Sequence, residues 1–351
     1  MRLTTVGGTL VERFLLAVGA VPTPLLDTFI ALMLARTVMV AARFNVLEAL
    51  SEGSLTAAEV AERCGTDAGA TGNLLTALAG ARYVRVGSDG RYRLAPVAKR
   101  WMLACARVSM RDAVLHRYLD ARFMEHADEY LRTGEPVDFH RPGMMTSQEW
   151  EIYLRGQRAD AAYCASEVAR RMPMPKRPVA MLDIGGGHGH YSAALCRRHP
   201  QLRATVLDLP QAADYARALL EREGVGDRVC YRCGDVASED LGQELYDLIL
   251  VAHVVHHFSD STNRDLMRRM AAALKRGGYC VVLDIERERS AQSAGQTGAL
   301  TNLYFAITSG GGTRSLEEIA SWQREAGLRV CKPIHLRFAP GIGMQAACRE
   351  S

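Results

Sequence analysis

A strand that runs into alternating glycines constrains this 351-residue chain more than any other feature. Val179, Met181, Leu182 and Ile184 read as a buried parallel strand, and Tyr191 to Cys196 as the start of a helix. Between them Gly185, Gly187 and Gly189 permit positive φ. They let the backbone approach a bound molecule more closely than any Cβ would allow. The register is D-x-G-x-G-x-G, led by Asp183. A dinucleotide fingerprint needs G-x-G-x-x-G, and counting on from Gly185 its third glycine position holds His190. A carboxylate at such a turn repels a pyrophosphate and suits a ligand that carries an ammonium group.

The following residues keep the rhythm of a doubly wound α/β sheet. Ala204 to Pro210 reads as a second strand ending in Asp208, ~20 residues past the glycines, where such folds set a carboxylate on ribose hydroxyls. Leu209 follows it. A third strand, Arg228 to Arg232, leads into Gly234-Asp235-Val236, whose carboxylate can accept from an adenine amino group. Tyr246 to Val251 and Tyr279 to Asp284 are a fourth and a fifth strand, and Asp247 at a strand mouth reads as a structural acid. Leu328 to Arg337 and Met344 to Cys348 read as an antiparallel hairpin that closes the sheet. The glycine register resembles motif I of class I S-adenosylmethionine-dependent methyltransferases. That resemblance implies that Asp183, Gly185, Gly187 and Gly189 hold the methionyl end of the cofactor.

The first hundred residues are organised differently. Ser54 to Ala61 carries a capping-type hydroxyl followed by Glu59, Gly65-Thr66-Asp67 breaks that helix, and Ala70 to Ala79 forms another. Tyr83 to Val86 and Arg91 to Leu94 flank the turn Gly87-Ser88-Asp89-Gly90 as a hairpin. The unit reads as a winged helix. Its second helix has no lysine or arginine from Asp67 to Gly80 and Asn73 as its one amide, so it lacks what neutralises phosphates, and DNA is not the expected partner. A net charge of +4 adds no reason to expect nucleic acid or an acidic membrane. Leu25 to Phe44 is apolar but interrupted by Asp27, Arg36 and Arg43, which predicts burial in protein rather than a membrane span. Nine cysteines without framework spacing, and no targeting signal, point to reduced thiols in the cytoplasm. Cys230-x-x-Cys233 lacks the second pair of a zinc site and reads as strand alternation.

A winged helix ahead of this glycine motif makes the chain, over about residues 30 to 350, similar to the small-molecule O-methyltransferases of plants and bacteria. In that family the N-terminal domain dimerises, and the fourth strand is followed by L-H-D-W, whose histidine takes the proton of the substrate hydroxyl. Val255-His256-His257-Phe258 stands there, which makes His256 the implied base. The residues support this on their own terms: imidazole titrates near neutral pH, and the end of a central strand faces the ligand crevice. Asp284 matches the first of two acids that orient the histidine in the family. The second falls on Thr313, in Gly310-Gly311-Gly312-Thr313-Arg314, and Ala252 replaces a lysine that often contacts the cofactor.

The acceptor pocket must come from segments the nucleotide fold does not use. Met144, Met145, Trp150 and Tyr153 are candidates for an apolar wall. His257 belongs with them, as do Asn302, Phe305 and Thr308 on the helix before the glycine run. Arg141 and Arg314 can hold a carboxylate or serve as surface ion pairs. The expected arrangement is a Rossmann-like methyltransferase sheet with an N-terminal, mainly α, winged-helix dimerisation domain. Residues 1–105 would dimerise, 106–172 would link and line the pocket, and 173–351 would bind S-adenosylmethionine and leave S-adenosylhomocysteine. The expected partners are a hydroxylated small molecule, of the kind found in specialised metabolism, and a second copy of the chain. No metal is expected. An alternative is methylation of carbon beside a ketone, with iron or zinc held by His253, His256, His257 and a carboxylate such as Asp284; His253 and His256, three apart, would share a helix face. A second alternative is a non-catalytic cofactor sensor that binds DNA.

Overall fold

Side chains that alternate between two apolar layers set the architecture of the second half of the chain. Met181, Leu248 and Val281 belong to one buried cluster, while their neighbours Leu182, Ile249 and Val282 belong to another. A sheet with two buried faces must be covered on both sides, and the intervening helices do this. The computed structural model describes residues 3–287 and 295–350. It divides into a unit of residues 2–118 and a unit of residues 119–351.

In the first unit, α1 (Leu10–Ala17) and α2 (Thr23–Leu25) precede a π-helical turn, Leu26–Ile30, that runs into α3 (Ala31–Arg43) and then α4 (Val46–Ala49). Helices α5 (Ala57–Cys64) and α6 (Ala68–Gly80) are followed by strands β1 (Val84–Val86) and β2 (Tyr92–Leu94) and by α7 (Pro96–Trp101). This is the winged-helix arrangement. Thr56 and Glu59 cap α5 reciprocally, Gly65 ends it at φ +64°, and Asp67 caps α6. The apolar stretch expected to be buried is buried in this unit only at Val38, Met39, Ala41 and Ala42, while Leu25, Phe29, Ile30, Leu32, Met33 and Phe44 are exposed. Among the described residues, Thr23–Arg43 is the one helix long and apolar enough to cross a membrane.

Helix α8 (Arg111–Met124) spans the division between the units. The second unit continues with α9 (Ala127–Thr133) and the 25-residue α10 (Ser147–Arg171), whose start Thr146 and Glu149 fix with a capping box. Its sheet then alternates β3 (Ala180–Ile184), α11 (His190–Arg198), β4 (Arg203–Asp208), α12 (Pro210–Arg222), β5 (Val229–Cys233), β6 (Tyr246–Ala252), α13 (Asp260–Ala273) and β7 (Leu274–Ile285). Helices α14 (Gln296–Ser309) and α15 (Leu316–Glu325) and strands β8 (Arg329–Val330), β9 (Ile334–His335) and β10 (Ile342–Cys348) complete it. The order is β5-β4-β3-β6-β7-β10-β8, parallel from β5 through β7. The final hairpin closes the sheet with its later strand inside: β10 runs antiparallel against β7, and β8 and β9 pair with its outer edge. The chain reverses winding direction between β3 and β6, so their adjacent carboxyl ends open the crevice where ligands bind in such sheets.

Candidate active site

The glycine turn leaves β3 with all three expected residues in the left-handed region: Gly185 at φ +64°, Gly187 at +48° and Gly189 at +67°. A Cβ on Gly185 would stand 2.5 Å from Val254 Cγ2, and one on Gly189 would stand 2.9 Å from the Tyr231 hydroxyl. Packing as well as conformation therefore demands glycine here. Asp208, at the end of β4, accepts from the backbone N–H of Gly187 and of Leu209, each at 2.7 Å. Burial raises its carboxyl to about 6, against those two hydrogen bonds. Gly234 donates to the Asp208 carbonyl at 3.0 Å, which sets Asp235 and Val236 beside the β4 end; Asp235 itself is exposed.

Asp183 lies fully buried behind the turn. Its Oδ2 accepts from the Ser192 hydroxyl at 2.7 Å, while Oδ1 has no partner. Burial pushes this acid up to about 7, with Asp208 adding to the rise. A buried carboxylate with an open lone pair, beside a turn cleared of side chains, fits a ligand that brings a positive group.

The second cluster forms where β6 and β7 end. His253 has a positive φ of 58°, and its N–H donates to the Leu283 carbonyl at 2.8 Å. The chain then makes a single 3-10 turn, Val255–His257, which the Asn263 amide holds by donating to the Val255 carbonyl at 2.9 Å. His256 is 3 % exposed, and its Nδ1 sits 2.7 Å from Asp284 Oδ1, which also accepts from Ile285 N–H at 2.7 Å. Burial would raise Asp284, but the attraction of the His256 ring whenever it is protonated, together with the polar contacts of His253 and His256, outweighs it and holds the carboxyl below its usual range. The His256 ring stacks on Phe305 with centroids 3.6 Å apart and 15° between planes. Its other nitrogen, Nε2, meets Nε2 of His257 at 3.1 Å.

The glycine run 310–312 supports this turn from behind. Gly312 N–H donates to the His256 carbonyl at 2.8 Å, and a Cβ on Gly311 would fall 2.0 Å from that same oxygen. Thr313, in the place of the second orienting acid, uses its N–H and its hydroxyl to bond Asn302 Oδ1, each at 2.9 Å. The oxygen of Asn302, a residue expected to line the acceptor pocket, thus helps to hold the glycine loop.

Met145 and Trp150 are buried in one apolar cluster with Phe123 and Phe139, and Tyr153 packs against it. Two residues that no spacing in the sequence pointed to complete the aromatic wall. The Phe139 and His140 rings lie 4.0 Å apart, tilted by 37°, and the His140 ring meets the His257 ring edge-on at 4.7 Å. His140 Nε2 lies 3.3 Å from the Tyr153 hydroxyl, and burial, helped by His256, lowers its imidazole to about 4.

Some expectations are corrected. His253 and His256 do not share a helix face, because His253 precedes the 3-10 turn with left-handed backbone. The His253 Nε2 faces the Tyr191 hydroxyl at 3.4 Å, and both nitrogens of His256 already have partners. Among the described residues, no group of three His, Cys, Asp or Glu side chains is disposed to hold a metal ion. Arg314 donates to the Phe258 carbonyl at 2.8 Å and lies over the Trp322 ring, a packing role. Asp247 is structural, as expected: it accepts from Val179 and Ala180 N–H at 2.9 Å, at the opposite end of β6 from the histidines.

Comparison with known proteins agrees with this geometry. Residues 116–329 match the O-methyltransferase domain, and residues 26–104 match the O-methyltransferase dimerisation domain. O-demethylpuromycin-O-methyltransferase of Streptomyces alboniger is 26% identical over 86% of this chain and 81% of its own. The mitomycin biosynthesis 6-O-methyltransferase of Streptomyces lavendulae is 29% identical over 84% of this chain and 86% of its own. Human N-acetylserotonin methyltransferase, solved in complex with S-adenosylmethionine, superposes with a TM-score of 0.81 at 17% identity, covering 99% of this chain and 100% of that one. The chain belongs to the O-methyltransferase family and is an S-adenosylmethionine-dependent methyltransferase with that family's dimerisation domain.

Proposed function

We propose that this member of the O-methyltransferase family methylates a hydroxyl on a flat, aromatic small molecule of specialised metabolism, with His256 as the destination of the hydroxyl proton. The observation that carries this reading is the buried His256–Asp284 contact of 2.7 Å at the mouth of the crevice. Asp284 fixes the imidazole with Nδ1 as donor and compensates the charge that arrives when the ring is protonated. Phe305 holds the ring plane. Phe139, Trp150, Tyr153 and Phe305 supply aromatic faces on which a planar acceptor can stack, with Met145 behind them.

The cofactor supplies a methyl group on a positively charged sulfur. Asp183, Gly185, Gly187 and Gly189 would hold its methionyl end, Asp208 and Leu209 its ribose, and Gly234, Asp235 and Val236 its adenine. The exclusion of side chains at the three glycines and the open oxygen of Asp183 support this assignment. We read residues 1–105 as the dimerisation domain, 106–172 as linker and acceptor wall and 173–351 as the cofactor-binding domain, in a homodimer that works in the cytoplasm. The exposed apolar residues Leu25, Phe29, Ile30, Leu32 and Met33 support an interface there.

Replacing His256 with alanine tests the reading. His256→Ala is expected to keep the wild-type heat of binding for S-adenosylhomocysteine while methyl transfer falls by ~10²-fold or more. Wild-type turnover in that variant refutes the assignment.

A further inference from the structure

The motif that supplies His256 places a second histidine on its reactive side. Nδ1 of His256 belongs to Asp284, which leaves Nε2 to take a proton, and that atom already meets His257 Nε2 at 3.1 Å. An acceptor hydroxyl cannot bond the same lone pair while His257 holds it. The other nitrogen of His257, Nδ1, is buried without a hydrogen-bond partner. A buried ring nitrogen with no partner is costly unless something arrives to pair with it.

We propose that His257 is a second catalytic histidine: it takes the acceptor's hydroxyl proton on Nδ1 and passes its own Nε2 proton to Nε2 of His256. This rests on the reading of His256 as the proton's destination and adds the route. At rest Asp284 is a carboxylate that accepts from His256 Nδ1–H, His256 Nε2 accepts from His257 Nε2–H, and His257 Nδ1 carries a bare lone pair. As the hydroxyl O–H bond breaks, a new N–H forms at Nδ1 of His257, and the Nε2–H of His257 transfers to His256. The oxygen keeps its electron pair for the methyl group. His256 finishes as an imidazolium beside the Asp284 carboxylate, and His257 finishes neutral in its other tautomer.

The surroundings favour that distribution of charge. The His257 ring faces His140 edge-on at 4.7 Å, Phe139 at 6.0 Å and Phe305 at 5.7 Å. Burial, then His256, His140 and His253, keep the His257 imidazole far below its usual range. Among the described groups around the two rings, Asp284 supplies the negative charge, and it touches His256, not His257. His253 stands 3.7 Å from the same carboxylate oxygen, and the Tyr153 hydroxyl faces His140. The transferred proton therefore ends on His256, beside the Asp284 carboxylate, and only passes through His257.

The test is nitrogen NMR of the full chain carrying 15N-histidine and saturated with S-adenosylhomocysteine. The expected result is a His257 Nδ1 resonance typical of an unprotonated ring nitrogen, with a scalar coupling between Nε2 of His256 and Nε2 of His257. Titration with 4-nitrophenol at mildly acidic pH should move His257 Nδ1 towards the protonated position and turn on the absorbance of bound nitrophenolate. In His257→Phe, and independently in His257→Asn, the coupling and the nitrophenolate absorbance should both be lost while cofactor heat is unchanged. A protonated Nδ1 at rest, absence of the coupling, or a nitrophenol response confined to His256 overturns the relay, as does no response at either ring. Failure of the underlying reading looks different: no heat with S-adenosylhomocysteine, or undiminished methyl transfer in His256→Ala.

Discussion

Gly311→Ala isolates the support behind the proposed catalytic turn from the turn itself. The residue has no positive φ to lose, so alanine meets no backbone strain of its own. Its Cβ would instead stand 2.0 Å from the His256 carbonyl oxygen and 2.8 Å from the carbonyl carbon. Both are backbone atoms, so no rotamer change relieves the contact. Reaching an ordinary separation requires a shift of ~1 Å or more between the glycine loop and the 3-10 turn, because packed interiors do not yield by compression. That shift strains the Gly312 N–H bond to the His256 carbonyl, now 2.8 Å, and carries Nδ1 away from Asp284 Oδ1, now at 2.7 Å. A misplacement of ~1 Å at the reacting group costs on the order of 10²-fold in turnover, and overpacking costs ~1–3 kcal/mol of stability. The assay is steady-state methyl transfer alongside calorimetry with S-adenosylhomocysteine, whose expected site at 185–189 the substitution does not touch. Turnover within about threefold of wild type, with the folded state intact, would refute the argument that this loop sets the position of His256.

Other predictions follow from the buried acids and the exposed helix. Asp284 has a depressed folded pKa, so the stability it contributes is present above the unfolded value of ~3.9 and is lost as pH falls through the folded value. Asp284→Asn should therefore lower stability at neutral pH and flatten the acid unfolding curve below about pH 4; an unchanged curve counts against the pairing. Asp183 has the opposite sign: its folded value of about 7 lies above the unfolded one, so its contribution is complete below the unfolded value and lost as pH rises through about 7. A ligand ammonium at its open oxygen would favour the ionised form, so binding S-adenosylhomocysteine just below neutral pH should release protons. Calorimetry in buffers of different ionisation enthalpy reads this, and no release there, or the same release in Asp183→Asn, refutes it. Phe29→Asp combined with Leu32→Asp should shift the chain from dimer to monomer in sedimentation; an unchanged sedimentation coefficient removes this face from the interface.

What the sequence determined by itself is what local chemistry and short periods determine. The D-x-G-x-G-x-G register announced a strand, a left-handed turn and a helix, because three glycines at that spacing have few other uses. The buried strands and the acid at the end of β4 were legible from their composition, as was the winged helix, whose caps at Thr56 and Asp67 are local signals. The Asp284 contact with His256 joins the end of β7 to the turn just past the neighbouring β6, and at the level of sequence it was implied by the family resemblance. Tertiary structure alone decided the rest. His140 reaches His257 from more than a hundred residues away, on a loop with no periodicity to read. Asn302 bonds the glycine loop because Thr313 folds back onto it, and Gly311 acquired its role from a carbonyl more than fifty residues earlier. The histidine run at 253–257 shows the limit most plainly. Spacing put His253 and His256 on one helix face, but a left-handed residue and a single 3-10 turn separated them and aimed His256 at His257 instead. Which lone pairs remain open depends on where every neighbouring donor lands, and that is a property of the packed chain.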